Sequence, residues 1–354
     1  MKISDFDYIL PDGFIAKEPA SPRDHSKLLV LDKENGEIKH CRFFEIVDFL
    51  KSGDTIVINN SKVFPARLIG RKETSGQAEV LLNHEISPGI WEALGKKLKT
   101  GDKVVFALSL RGEILSKNGE TITIKFNLSG GALVRTIDKI GQIPLPPYIL
   151  KQRHFRSASR KDSVDYQTVY AKDRGSVAAP TAGLHFTDNL LKKISARGVK
   201  ILEITLHVGL GTFAPIKTDN IKDHRIHAEY YSIDKNTLDQ IALAKKAKKR
   251  IIAVGTTTTR VLETIFKNRN LLICLAGRQA VNCKPLSGWT DIYIYPPYKF
   301  KCVDAMITNF HLPKSSLLLL VSAFAGTGKI KKAYIEAIKY NYRFYSYGDA
   351  MMII

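Results

Sequence analysis

Residues 250–266, RIIAVGTTTTRVLETIF, decide the fold class. The apolar run RIIAVG reads as a short buried strand, and TRVLETIF carries the apolar spacing of a helix. A strand that passes through a glycine and four threonines directly into a helix is half of a β-α-β unit. The same rhythm recurs outward from it. VKILEITLHV (199–208) and DAMITNF (304–310) read as strands, as do KLLVLD (27–32) and DTIVINN (54–60), which flank a helix-like FFEIVDFL. TDNLLKKISARG, NTLDQIALAKKAKK, TRVLETIFKN and PKSSLLLLVSAFAG read as helices. Thr187 is placed to cap the first of these and Gly198 to end it. The alternation predicts an α/β domain with a mostly parallel sheet.

Residues 66–146 break that rhythm. RLIGRK, AEVLLN, WEALGK, DKVVFAL, GEILSK and TITIKF are short β-type runs separated by Gly, Asn and Ser, with no helix between them. This spacing predicts a small β-barrel. Because β-only sequence interrupts an α/β pattern, the expected organisation is a discontinuous α/β catalytic domain (1–65 and 147–354) with an inserted barrel (66–146). IPLPPYIL (143–150) is expected to leave the barrel as a stiff polyproline-like segment.

Composition narrows the function. The formal charge of +20 is distributed as −3 over residues 1–60, +5 over 61–150 and +18 over 151–354. Concentrated positive charge suits a polyanionic partner, because each neutralised phosphate releases counterions. Two basic clusters stand out, KQRHFRSASRK (151–161) and KKAKKR (245–250). The first has the composition of an RNA-gripping loop, with Arg153, Arg156, Arg160 and Lys161 as its phosphate contacts. The second reads as a solvated helix terminus favoured by the helix dipole. The N-terminal MKISDFDYIL is too acidic for a signal peptide, and the longest apolar stretch, Leu317–Ala325, is too short to span a bilayer. Cys41, Cys274, Cys283 and Cys302 show no CxxC spacing. A cytoplasmic protein without membrane attachment is expected.

In an α/β sheet, ligands bind where strand ends lead into helix starts. Four such exits carry polar residues: AAPTAGLHFT (178–187), TLHVGLGTF (205–213), the Thr256–Thr259 run, and DAMITNFHLP (304–313), whose helix Pro313 is placed to open. Free N–H groups at helix starts suit a carboxylate. GLGTFA (209–214) has the glycine spacing of a dinucleotide fingerprint, but Pro215 and the polar KTDNIKDH after it cannot form the required helix. AFAGTGKI (323–330) lacks the first glycine and final Ser/Thr of a P-loop and follows a helix. His224 and His227 are three apart without a third ligand at metal spacing, so no metal is expected. They are read as supporting a turn, with Glu229 as a hydrogen-bond partner.

AAPTAGLHFT, TLHVGLGTF, AVGTTTTR, GWTDIYIYPPYKFKCVDAMITNFHLPKSSLLLLVSAFAG and YRFYSYGDAMMI together resemble the signature blocks of the S-adenosylmethionine:tRNA ribosyltransferase-isomerases, the queuosine biosynthesis family. SDFDYILP, KLLVLD, NNSKVFPARLIG, IPLPPYI and YQTVYA extend the resemblance over nearly the whole chain. It implies transfer and isomerisation of the ribosyl part of S-adenosylmethionine onto 7-aminomethyl-7-deazaguanine at the tRNA wobble position. Epoxyqueuosine-tRNA, adenine and methionine are the implied products. S-adenosylmethionine is then a consumed substrate, no cofactor is needed, and the implied partner is tRNA, with the protein a monomer. This chemistry needs a base for an acidified C5′ proton and an acid for departing adenine. His185, His207, Asp291 and His311 are the candidates, their individual roles open. Thr181, Gly183, Phe186, Thr256, Thr257 and Asn309 are the candidate S-adenosylmethionine contacts. An S-adenosylmethionine-dependent RNA methyltransferase and a non-catalytic RNA-binding protein are the alternatives.

Overall fold

The computed structural model describes residues 1–152 (side chains to 150), 161–209, 216, 218–267 and 286–354. Two compact units emerge. The larger comprises Met1–Ser61, Gln167–Asp173 and Ala179–Ile354, and the smaller Lys62–Tyr166 and Arg174–Ala178.

The strands run in chain order as β1 (Lys27–Leu31), β2 (Ile38–Arg42), β3 (Thr55–Asn59), β4 (Ser61–Val63), β5 (Arg67–Lys72), β6 (Gln77–Ser87), β7 (Ile90–Gly95), β8 (Lys103–Phe106) and β9 (Arg111–Asn118). There follow β10 (Thr121–Phe126), β11 (Asp173–Ser176), β12 (Lys200–Leu206), β13 (Glu229–Ile233), β14 (Ile251–Val254), β15 (Leu286–Thr290), β16 (Ala305–Asn309) and β17 (Ala350–Ile353).

The larger unit is built on a nine-stranded sheet in the order β15-β13-β12-β3-β14-β16-β17-β1-β2. Its centre, β12-β3-β14-β16, is parallel, as the strand–helix alternation predicts. The β17-β1 pair is also parallel, while the remaining four pairings are antiparallel, so the sheet as a whole is mixed. The added antiparallel strands were hidden for a physical reason. β13 alternates buried with half-buried residues, β15 buries only Thr290 and β2 buries none, so none carries a continuous apolar run. Leu28, Val30, Ile56, Ile58, Val254 and Ile307 from four strands pack with Phe43, Phe186 and Leu190 in one continuous core. No helix among the described residues is long and apolar enough to cross a membrane.

The smaller unit contains a closed antiparallel barrel, β10-β7-β6-β5-β8-β9, formed by the six runs read as strands. Gly112 lies inside it where a Cβ would come 2.5 Å from Ile124, so the barrel wall needs glycine there. A helix, Gly130–Ile140, follows the barrel. Of IPLPPYIL, only the first part is extended. Pro147 opens a helix, Pro147–Gln152, because a proline at the first helical position sacrifices no intrahelical bond. Pro313 does not open its helix. That role falls to Ser315, whose hydroxyl accepts from the Leu318 amide, and the helix runs Ser316–Ala325. At KKAKKR, Lys245 pairs with Asp304 at 2.9 Å and Arg250 engages Asp54 through two contacts, so part of this cluster is bound to the fold.

One buried acid organises the sheet's approach to β16. Glu263, on the helix Gly255–Lys267, is fully buried and accepts backbone bonds from Lys301 (2.8 Å), Cys302 (2.9 Å) and Val303 (3.0 Å). The Tyr298 hydroxyl adds a donor at 3.3 Å. Replacing Glu263 by Ala leaves those three amides without their acceptor, at about 1–3 kcal/mol each. We expect Glu263→Ala to lower the stability of this unit by about 3 kcal/mol or more in urea unfolding. Hydrogen exchange at Lys301, Cys302 and Val303 should accelerate together, and unchanged protection there would show that the carboxylate is dispensable.

Candidate functional site

The parallel strands β12, β3, β14 and β16 end on one edge of the sheet, delivering His207, Asn59–Asn60, Gly255 and Asn309 in spatial order. At about 4.8 Å between neighbours, this row is about 14 Å across. β1 and β17 begin at the same edge, since β17 runs antiparallel to β16 and parallel to β1. They bring Ser26 and Asp349 to it.

A short helical turn, Thr181–His185, closes over β16 and the start of the helix Gly255–Lys267. A Cβ on Gly255 would lie 3.7 Å from Ala182 Cβ and 3.4 Å from Thr257 Oγ1, so the two turns touch. Gly255 takes φ +88°, a left-handed conformation that lets β14 turn straight into the helix. The helix therefore begins at Gly255 rather than after the threonines. Thr258 and Thr259 donate back to the Val254 and Gly255 carbonyls at 2.7 and 3.1 Å. The buried Thr257 hydroxyl has no hydrogen-bond partner. Thr256 is buried beside it. Gly183 is sterically obligatory, because a Cβ there would fall 2.1 Å from the Tyr170 hydroxyl and 2.8 Å from Thr168 Cγ2. The Tyr170 and Thr168 hydroxyls are also buried without partners.

His185 lies at the centre of this cluster. Its Nδ1 is 2.8 Å from the Ser26 hydroxyl, while Nε2 is buried and without a partner. Burial pushes its pKa down to about 4, against the opposing pull of Asp349 and of the Asn309 side chain. The ring is therefore neutral at physiological pH. Asn309 donates to the Tyr345 and Ser346 carbonyls at 2.9 and 3.3 Å, which leaves its Oδ1 the unpartnered atom. Asp349 is held by the Arg343 amide at 2.7 Å and the Arg343 guanidinium at 3.2 Å. Unpartnered polar atoms on His185, Asn309, Thr257, Tyr170 and Thr168 thus collect around one turn. Buried groups that make no internal bond are groups available to a ligand.

The other candidates are placed differently. His207 is half-buried at the end of β12, stacked on Tyr230 at 5.9 Å, with Nδ1 unpartnered. Burial lowers its pKa, and nearby Asp173 opposes the shift. His311 is buried, with Nε2 2.8 Å from the Thr308 hydroxyl, and burial takes its pKa to about 3. Asp291 is exposed just beyond β15. Phe186 is fully buried in the core, edge-on to Phe43 and Tyr170. Thr181 is half-buried at the head of the turn. Lys161 is exposed and 3.8 Å from Asp165. Arg153, Arg156 and Arg160 lie outside the described residues, as does GLGTFA beyond Gly209.

Sequence reasoning missed Ser26, Tyr170, Thr168 and Asp349, which precede or follow strands far apart in the chain. It also missed a buried ion pair between Arg260 and Glu229. Glu229, read as a partner of the His224–His227 turn, is engaged by Arg260 and accepts from the Gly209 amide at 2.9 Å. Arg260 also donates to the Ile292 and Thr290 carbonyls, both at 3.2 Å. An arginine inside the apolar pattern TRVLETIF was the available signal, since a buried cation requires a partner.

A family model described as "Queuosine biosynthesis protein" matches residues 3–353. The chain belongs to the queuosine biosynthesis protein family. Relatives named S-adenosylmethionine:tRNA ribosyltransferase-isomerase support this over full length. That of Sulfurihydrogenibium sp. is 50% identical and that of Acetivibrio thermocellus 48%, each match covering 100% of both chains. The crystal structure of the S-adenosylmethionine tRNA ribosyltransferase of Thermotoga maritima is 35% identical, with a TM-score of 0.55 over 99% of this chain and 100% of that one.

The depressed pKa of His185 has a consequence for stability. Its native value of about 4 lies below the ordinary 6.5, so the unfolded chain takes up the proton first. The stability carried by the neutral ring is complete above pH 6.5 and is lost as the pH falls toward 4, on the order of 3 kcal/mol in all. We expect His185→Asn to flatten the pH dependence of the unfolding free energy across that window. An unchanged slope would mean that His185 titrates normally.

Proposed function

We propose that the chain is an S-adenosylmethionine:tRNA ribosyltransferase-isomerase, a transferase that moves the donor's ribosyl group onto 7-aminomethyl-7-deazaguanine in tRNA. Epoxyqueuosine-tRNA, adenine and methionine are the products. The observation that carries the reading is the set of unpartnered buried polar atoms around the Thr181–His185 turn, beside the first turn of the helix Gly255–Lys267. The free N–H groups of that helix start suit the donor's carboxylate, with Thr256 and Thr257 beside it. Thr181, Gly183 and Asn309 complete the donor site, and Phe186 shapes it from the core behind.

The reaction is shared among these groups. The sulfonium is cationic, so a neutral His185 presents a ring nitrogen to it without electrostatic opposition. That suits it to accept the C5′ proton. His207, half-buried and with a free Nδ1, is placed to pass a proton to departing adenine. The amine of the modified base then attacks the sugar, and a sugar hydroxyl displaces methionine to close the epoxide. His311 is sequestered by Thr308 and supports the exit of β16, and the exposed Asp291 faces solvent at the rim. S-adenosylmethionine is consumed as a substrate, no further cofactor is required, and the enzyme acts as a cytoplasmic monomer. Arg153, Arg156, Arg160 and Lys161 grip tRNA phosphates.

Incubation with S-adenosylmethionine and tRNA bearing the modified base should release adenine and methionine. Release of S-adenosylhomocysteine would indicate a methyltransferase, and no release a binding protein. His185→Ala and His207→Ala should each lower turnover by about 10²–10⁴. Near-normal rates in both would make the histidines structural.

Neutralising Arg156 and Arg160 together should weaken tRNA binding and reduce its salt slope by roughly one per lost contact, with S-adenosylmethionine affinity unchanged. Dissociation constants at two salt concentrations measure this, and an unaltered slope would remove those arginines from the RNA surface.

A further inference from the structure

The antiparallel extension of the sheet, β12-β13-β15, carries an organised row of rings. Tyr230 and Trp289 are directly paired across β13 and β15, their rings 5.7 Å apart and edge to face. The His207 amide donates to the Tyr230 carbonyl at 2.9 Å, and the two rings stack at 5.9 Å with an interplanar angle of 18°. His207, Tyr230 and Trp289 therefore form one row across three strands. A parallel row of hydroxyls, Thr205, Ser232 and Ser287, lies two residues along the same face. The opposite face buries Glu229, Tyr231 and Ile233 and gives no reason for aromatic residues on this one.

Exposure rises outward along the ring row. His207 and Tyr230 are half-buried, and Trp289 is 54% exposed. Trp289 packs one edge against Tyr230 and keeps about half of its surface open to solvent. We propose that Trp289 is a stacking platform for an unpaired base of the substrate RNA, with Tyr230 and His207 continuing the row toward the reacting groups. The proposal rests on the tRNA-modifying activity argued above. Three observations favour an RNA base over an apolar protein partner. The rings alternate with hydroxyls rather than with aliphatic side chains; Thr205 is bound inward to Asn60 and Asp173, and Ser232 and Ser287 leave the face with π-surfaces and hydroxyls but little continuous apolar area. The chain from residue 151 onward carries +18, which complements a polyanion. The row also ends at His207, beside the reaction proposed here, and a base to be modified must leave its stack and find a replacement for it. Single-stranded RNA readers use sheet-borne aromatic rings in this way because every base has a π-face.

The chain has two tryptophans, so a single substitution isolates the reporter. Trp91 lies in the barrel and its Nε1 makes no hydrogen bond, which makes Trp91→Phe a mild change. In that background, titration with an anticodon stem-loop carrying 7-aminomethyl-7-deazaguanine should quench Trp289 fluorescence. Adding Trp289→Ala should weaken RNA binding about tenfold and raise the KM for RNA, whereas Trp289→Phe should keep near-parental affinity. The KM for S-adenosylmethionine and kcat at saturating RNA should not change, and thermal unfolding should confirm an intact fold. Unquenched fluorescence, or full affinity in the alanine variant, overturns the proposal. A rise in the KM for S-adenosylmethionine alone also overturns it, by placing the donor's adenine there. Adenine release by the Trp91→Phe parent separately tests the activity, so failure of the reaction and failure of the stacking platform are read on different axes.

Discussion

The carboxylate of Glu263 is the constraint on which the site's geometry depends. The groups proposed to act on the donor come from a helix start at Gly255 and from a strand end at Asn309, about fifty residues apart. Glu263 lies two turns along that helix and holds the three amides that lead the chain into β16. Helix and strand are therefore fixed to each other by charge-assisted bonds inside the core, where competing water is excluded. The Thr181–His185 turn then has a rigid floor, and Gly183 permits the approach that brings Tyr170 and Thr168 within reach of it.

His185 shows how burial, rather than a charged neighbour, sets the chemistry of the cluster. Asp349 and Asn309 both favour its protonated form, and burial outweighs them. The result is an imidazole fixed through Nδ1 to Ser26, with the other nitrogen unengaged. For a cationic sulfonium donor this polarity is useful. A strongly basic histidine would arrive already protonated, repel the donor, and lack the lone pair needed to accept a proton.

The parallel centre of the sheet and the barrel were legible in the sequence because their residues obey simple periodicities. IIAV is apolar throughout because β14 is covered on both faces, and TITIKF alternates because a barrel strand has one inner face. β13 alternates as well, but its half-buried positions include Tyr230, and β15 buries only Thr290, so neither strand shows a continuous apolar run. The polar strand exits AAPTAGLHFT and DAMITNFHLP were readable as chemistry because polar groups at the ends of apolar strands have few structural duties. Ser26, Tyr170 and Asp349 were not readable in that way. Each is an ordinary residue at an ordinary position until the fold brings β1, β17 and the segment before the turn together. Thr258 and Thr259, indistinguishable in sequence from Thr257, prove to bond their own helix, which only the positive φ of Gly255 could have disclosed.

The place of β17 bears on how the molecule assembles. This strand lies between β16 and β1, parallel to one and antiparallel to the other. β1 and β2 are synthesised early but gain their link to the rest of the sheet only when β17 has been made. Until then the nascent chain presents β1 as an unpaired edge, and contacts this distant in sequence form slowly. The insertion of β17 also carries Asp349 to His185, so the last strand to join the sheet is the one that completes the electrostatic surroundings of the proposed base.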